Sequence, residues 1–257
     1  VSGSLTVLGS GTSFGVPVIG CDCPVCTSDD PRDRRTRTAA LVEVGEVRIL
    51  IDTPPELRLQ LLGVGAPRVD AVFYTHEHAD HVAGIDDLRA FSVRGGRLDV
   101  YGPAGTLREL EHRFAYIFDD VEPVPGTSKP SLHAIAVQPY QRVGLAGIDV
   151  LPVPVDHGGV EVYGYRFGAV AYVTDAKSVS ARAIAALRGV EVLVLNGLFE
   201  RPHPTHLSIP EAIEVAQAIG APRTYLTHLT HRYTHRALAA RLPDGMEPAY
   251  DGLCVHF

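Results

Sequence analysis

The segment Thr75-His76-Glu77-His78-Ala79-Asp80-His81 places four metal-competent side chains within six residues. Imidazole and carboxylate ligands suit zinc or manganese, and the pattern does not choose between the two. The apolar run Ala71-Val72-Phe73-Tyr74 before it reads as a strand. On extended backbone His76 and His78, two residues apart, point the same way. Asp80 and His81 fall at the next turn and can converge on a second point. This spacing suggests two imidazoles on one cation and a carboxylate plus an imidazole on its neighbour. Two such cations would clamp an oxygen and activate a water.

Further candidates end later strand-like runs. Pro154-Val155-Asp156-His157 ends in His157, Tyr172-Val173-Thr174-Asp175 in Asp175, and Tyr225-Leu226-Thr227-His228 in His228. A lone His or Asp at a strand end is ordinarily a turn residue, so these three gain meaning only as a set. A separate cluster, Cys21-Asp22-Cys23-Pro24-Val25-Cys26, offers three thiols from one tight loop. That spacing suits metal binding in a reducing compartment better than a disulfide framework. The fourth cysteine, Cys254, is accounted for by an apolar strand position.

The T-H-x-H-x-D-H run, followed in order by the three strand ends, resembles the signature of the metallo-β-lactamase-fold hydrolases over nearly the whole chain. Among these the chain is most similar to the PhnP-like phosphodiesterases, the phosphoribosyl 1,2-cyclic phosphate phosphodiesterase branch. The resemblance implies that His76, His78 and His157 hold one metal and that Asp80, His81 and His228 hold the other. Asp175 would bridge them. Asp52, after Ile49-Leu50-Ile51, matches the family's first motif and would orient a ligand or the bridging water. His231, in His228-Leu229-Thr230-His231, would complete a structural zinc site with Cys21, Cys23 and Cys26. The implied cofactors are two divalent metals, zinc or manganese, and one structural zinc.

The implied reaction is hydrolysis of a small phosphodiester, a cyclic ribose phosphate or a nucleotide-like molecule, by a hydroxide bridging the two metals. Asp80 belongs to that catalytic group. Protonating the leaving alkoxide requires an acid, and the family places a His upstream of the last ligand. Here that is His206, in Thr205-His206-Leu207-Ser208, with His203 as its rival three residues earlier. A homodimer follows from the same resemblance. One position departs from the pattern: Asn196 ends the run Val192-Leu193-Val194-Leu195, where relatives often carry an acid.

These residues need strands to carry them. Short β-branched runs predict strands at 5–9, 40–44, 47–52, 71–74, 98–101, 148–155, 160–167, 169–174, 192–195, 223–227 and 253–257. Helices are predicted at 55–62, 105–114, 179–187, 209–219 and 235–242. The helix at 209–219 is the best marked, with Ser208 and Glu211 forming a capping box and Gly220 a stop. Periodicity alone gives only a mixed α and β chain. The resemblance implies an α/β αββα sandwich, two mixed sheets with helices on the outer faces. Residues 121–143, with four prolines before Pro139's neighbour Tyr140 counted from Pro123, form the least regular stretch, read as a lid, a dimer arm or a surface loop.

The 257 residues, 46% hydrophobic and 21% charged, suit a single globular domain, residues 1–257. The net charge of −7 argues against a nucleic-acid partner, which would require a basic footprint. No apolar run is long enough to span a membrane, and Val1–Leu5 lacks the charged and apolar regions of a signal peptide, so a cytoplasmic location is expected. Arg32, Arg34, Arg35 and Arg37 form a basic run, ordinarily a solvated loop, and in the context of the resemblance one of them is expected to contact a substrate phosphate. The loop Gly9–Gly15 offers backbone N–H groups to the same end. Phe114, Tyr116 and Phe118 read as packing residues. The alternatives are a ribonuclease Z-like tRNA 3′-endonuclease, a carboxylic-ester or thioester hydrolase, and a non-catalytic metal-binding member of the fold. The acidic charge and the cysteine loop speak against the nuclease, Asp80 and His206 against the ester hydrolase, and the full ligand set against loss of catalysis.

Overall fold

A computed structural model of the chain describes residues 2–66, 68–119 and 121–257, with the side chains of residues 94 and 95 outside the description. Among the described residues, fourteen strands are assembled into two seven-stranded sheets. The first holds β1 (Gly3–Gly9), β2 (Ala39–Val44), β3 (Val47–Ile51), β4 (Ala71–Phe73), β5 (Leu98–Gly102) and β6 (Leu132–Ala136). The second holds β7 (Val143–Leu145), β8 (Ile148–His157), β9 (Val160–Phe167), β10 (Val170–Val173), β11 (Val192–Asn196), β12 (Arg223–Thr227) and β13 (Met246–Pro248). The last strand, β14 (Cys254–His256), returns to the first sheet beside β1.

The two sheets follow one pairing schedule. In the order β14-β1-β2-β3 all neighbours are antiparallel, and β3-β4-β5-β6 are parallel. In the order β7-β8-β9-β10 all neighbours are antiparallel, and β10-β11-β12-β13 are parallel. Tight hairpin turns at Gly45 and Gly168 join β2 to β3 and β9 to β10, each glycine at positive φ.

Alternation along the strands builds three apolar layers. Val192 and Val194 join Val42, Ile51, Phe73 and Tyr165 between the sheets. Leu193 and Leu195 point the other way, against α6 (Ala181–Leu187) and α7 (Ile209–Ile219). Leu50 and Val72 meet Leu57 and Leu61 of α1 (Leu57–Gly63) and Leu107 and Leu110 of α4 (Ala104–Arg113) on the far face of the first sheet. The result is the αββα sandwich, with two mixed sheets inside and helices outside.

The capping box at α7 forms: Ser208 accepts from the Glu211 amide, Glu211 Oε2 accepts from the Ser208 amide at 2.7 Å, and Gly220 closes the helix at φ 80°. Other expectations need correction. Residues 121–143 are not wholly irregular, because β6 occupies 132–136 and extends the parallel half of the first sheet. The helix expected over 235–242 ends early, as α8 (His235–Ala239). Short helices α2 (Ala79–Val82), α3 (Arg89–Gly95) and α5 (Ala115–Phe118), and strands β6, β7 and β13, have no counterpart among the predicted elements. Phe114 and Phe118 pack on the core, whereas Tyr116 is exposed and donates its hydroxyl to Asp86 at 2.6 Å. Cys254 is exposed on β14 rather than packed.

Candidate metal centre

Ligand-type residues gather where strands end at one rim of the sandwich. Thr75 and His76 follow β4, Asp52 follows β3, His157 ends β8, Asp175 follows β10 and His228 follows β12. Carboxyl ends of parallel strands are the usual place for α/β sites. Asp52, Asp175 and His228 all adopt left-handed backbone, with φ of 62°, 58° and 57°. This conformation is uncommon outside glycine and clusters at functional sites. It turns each chain sharply off its strand, so that the side chain faces the rim.

Two groups result. Ligand atoms of His76, His78, His157 and Asp175 lie within 4.8 Å of one another, as do those of Asp80, His81 and His228; His206 also lies within that distance of Asp175 and His228. Asp175 spans both, with Oδ2 at 3.6 Å from His76 Nε2 and 3.5 Å from His81 Nε2, and Oδ1 at 3.4 Å from His228 Nε2. His157 Nε2 is 3.9 Å from Asp175 Oδ2, and Asp80 Oδ2 is 3.5 Å from His81 Nε2 and 3.8 Å from His228 Nε2.

Hydrogen bonds behind the site set the tautomers. Asp52 accepts from the Thr75 amide and hydroxyl, both at 2.8 Å, and from His81 Nδ1 at 2.7 Å. With its hydroxyl hydrogen spent on Asp52, Thr75 Oγ1 accepts from His76 Nδ1 at 2.9 Å. His157 Nδ1 donates to the Thr205 carbonyl at 2.6 Å. In each case Nε2 is left facing the cluster, as a metal-binding imidazole requires. Gly158 allows the close approach to Thr205: at φ 65°, a Cβ there would lie 2.7 Å from Thr205 Cγ2.

The donor set fits cations. His81 Nε2 and His228 Nε2 are buried without a hydrogen-bond partner, and His76 Nε2 faces His78 Nδ1 at 2.9 Å. Buried polar atoms are seldom left unmatched. Electrostatics agree. Burial, with His81 beside it, pushes the His76 imidazole well below its ordinary pKa, and burial also lowers His78 and His157. Burial opposes a charge on His81 and on Asp175 alike. The carboxylates of Asp175, Asp80 and Asp52 nevertheless hold His81 well above the usual imidazole range. His228 and His81 hold Asp175 well below the usual carboxylate range.

His206 lies at the edge of this cluster. Its Nε2 is 3.3 Å from Asp175 Oδ2, and its Nδ1 is 2.9 Å from Thr205 Oγ1. His203 does not face the cluster directly; its Nδ1 is 3.2 Å from Thr205 Oγ1.

The thiols form a third group. Cys21, Cys23 and Cys26 Sγ lie 3.4, 3.5 and 3.5 Å from His231 Nδ1. Tetrahedral zinc, with bonds of roughly 2.3 Å to sulfur and 2.0 Å to nitrogen, puts the two donors about 3.5 Å apart. The Cys26 amide donates to Cys23 Sγ and lowers that thiol to about 6, while burial raises Cys26 to about 11. Cys254 is not in this group.

Asn196 has a role that its side-chain class did not reveal. It is buried at the end of β11, where Oδ1 accepts from the Ala176 amide at 2.8 Å and Nδ2 donates to the Ala176 carbonyl at 3.0 Å. It thus grips the backbone directly after Asp175. The expectation that one of the four arginines contacts a substrate fails for Arg35. Arg35 is only 1% exposed, and its guanidinium donates to the carbonyls of Thr230 and Tyr233. Arg37 is engaged with Glu56 and the Ser13 carbonyl, and Arg32 with Asp30. Burial removes Arg35 from any substrate.

A beta-lactamase superfamily domain matches residues 47–229. A solved structure described as a new diphosphatase from the PhnP family is 42% identical, with a TM-score of 0.92, covering 100% of this chain and 98% of that one. An octanoyltransferase of Porphyromonas gingivalis is 41% identical over 96% of this chain and 50% of its own length. A ribonuclease Z of Methanopyrus kandleri is 30% identical over 78% of this chain and 83% of its own. The chain spans about half the length of several curated relatives it matches.

Proposed function

The chain belongs to the beta-lactamase superfamily as a PhnP-like metal-dependent hydrolase, and on that premise we propose that it is a dinuclear phosphodiesterase acting on a small phosphodiester. Cyclic ribose phosphates and nucleotide-like diesters are the substrate class. A diphosphate link, the bond that a diphosphatase such as the PhnP-family relative cleaves, is its nearest chemical neighbour. His76, His78 and His157 would hold one cation, Asp80, His81 and His228 the other, and Asp175 both. Zinc and manganese both suit these donors. Cys21, Cys23, Cys26 and His231 would hold a structural zinc.

When bound, the two cations supply an activated water and neutralise phosphoryl oxygens. Asp52 keeps His81 and, through Thr75, His76 in the correct tautomer. The Thr205 carbonyl does the same for His157. His206 presents Nε2 at the cluster edge and transfers a proton to the leaving oxygen. Its Nδ1 rests on Thr205 Oγ1, which fixes the ring.

The observation that carries this reading is the placement of His206. It stands 3.3 Å from the carboxylate shared by both ligand groups, and although it lies within ligand distance of Asp175 and His228, each of the two groups has three or more ligands without it. A leaving alkoxide needs such an acid; an alkoxide also leaves from a carboxylic ester, so the choice of a phosphorus substrate rests as well on the likeness to the PhnP-family diphosphatase. The ribonuclease Z reading rests on the same constellation and on the Methanopyrus kandleri relative. The net charge of −7 stands against it. The octanoyltransferase relative extends well beyond the matched half, so its transferase chemistry is not carried over.

The test is turnover of bis-nitrophenyl phosphate, a ribose cyclic phosphate, a nucleoside diphosphate ester, a thioester and a pre-tRNA by protein reconstituted with zinc or manganese. The expected outcome is metal-dependent cleavage of the small phosphorus substrates and inert pre-tRNA and thioester. Efficient pre-tRNA processing would replace this reading with the nuclease.

A further inference from the structure

The loop 228–235 carries a residue of each centre, His228 for the rim cluster and His231 for the thiols. A buried ion pair holds that loop. Arg35 and Asp33 are each 1% exposed and meet at 3.3 Å. The Arg35 guanidinium also donates to the Thr230 carbonyl and, at 3.0 Å, to the Tyr233 carbonyl. Asp33 Oδ1 accepts from the His235 amide at 2.5 Å, and its Oδ2 from the Ser28 hydroxyl at 2.7 Å. The backbone of Arg35 pairs both ways with Val16, at 2.8 Å each. Two residues beyond, the Val18 amide donates to Cys26 Sγ at 3.3 Å. One residue therefore joins the cysteine segment through its backbone to the loop between His228 and His231 through its side chain.

A buried ion pair is a poor route to stability, because desolvation consumes most of the Coulomb gain. What the guanidinium provides is direction: a planar fork that fixes two carbonyls and a carboxylate at set angles. Lysine has no such fork.

We propose that Arg35 is a positioning residue that couples the thiol cluster to the rim cluster. Metal on Cys21, Cys23, Cys26 and His231 fixes the loop, and Arg35 transmits that order to the aim of His228. The inference rests on the reading that both clusters hold metal. Coupling of this kind is reciprocal, so each centre raises the other's affinity by one factor.

The experiment is a double-mutant cycle on metal affinity in the full chain. Stoichiometry is read by native mass spectrometry, and cobalt affinity by chelator competition with absorption spectra separating thiolate from imidazole sites. The variants are Arg35→Lys, the pair Cys21→Ser/Cys26→Ser, and all three together. Arg35→Lys keeps a cation opposite Asp33 but cannot span both carbonyls. The expected result is three metals on the wild type, and about tenfold weaker binding at the His228 site in either variant, within the range seen when a ligand's supporting contacts are lost. The site of His76, His78 and His157 keeps its affinity, and the combined variant is little worse than either parent. If the lysine variant unfolds, Asp33→Asn/Arg35→Met leaves no lone buried charge and gives the same readout. Additive losses, or wild-type affinity in Arg35→Lys, would overturn the coupling. A wild type that takes no metal on its thiols would overturn the underlying reading, and the stoichiometry shows this before any variant is compared.

Discussion

A neutral imidazole has one lone pair to give, so the partner of its other nitrogen decides what it can bind. At this rim those partners are Thr75, Asp52 and the Thr205 carbonyl. The ligand types were legible in the sequence because His76 to His81 are local, and Asp52 was legible as a support. The left-handed φ of Asp175 and His228 was not, since Asp and His adopt it more often than most residues but still uncommonly. Nor was Arg35, because a charged residue in a basic run reads as solvated and its two carbonyl partners lie almost 200 residues away. Asn196 resolves in the same terms: an amide both donates to and accepts from Ala176, and an acid could only accept. Asn196→Asp should therefore set a carboxylate against the Ala176 carbonyl. We expect stability to fall by about 2 kcal/mol in denaturant melts and metal affinity about tenfold in chelator competition. Unchanged values in both would show that the Asn196 donor is idle.

At the scale of elements, α7 was the easiest to foresee, because its start and stop signals are local side chains. β6 was hidden by its setting after a proline-rich stretch, and it gains its place from pairing with β5 rather than from its own pattern. The α7 cap also carries a pH signature. Burial pushes the Glu211 carboxyl up, but Lys177 at 2.8 Å and the Ser208 amide and hydroxyl outweigh it and bring the pKa from 4.5 to about 2. A depressed carboxyl pKa contributes stability above the unfolded value, and that contribution is lost as pH falls toward the folded one. Glu211→Gln can still cap the helix but cannot titrate. Its melting temperature should lie below that of the wild type at pH 6, and the gap should narrow as pH falls from about 5 toward about 2. The side chain is a third exposed, so the whole effect stays near about 1 kcal/mol. A gap independent of pH would mean that the Lys177 pair contributes nothing.

At the scale of the molecule, the two sheets repeat one pairing schedule, three antiparallel steps and then three parallel, with no repeat visible in the sequence. Pairing direction is set by connections and burial, which many sequences satisfy, so architecture can recur while residues do not. The parallel halves bring β4, β10 and β12 to the rim, and β8 delivers His157 from the antiparallel half. Among the described residues no helix is long and apolar enough to cross a membrane. The central claim is that this rim cleaves phosphodiesters with His206 as the acid. It is tested most directly by comparing wild type and His206→Ala on a series of phosphodiesters whose leaving groups run from nitrophenol to a simple alcohol. The expected result is a loss on the order of 100-fold or more for the alcohol and little loss for nitrophenol, which departs without a proton. Equal losses across the series would contradict it.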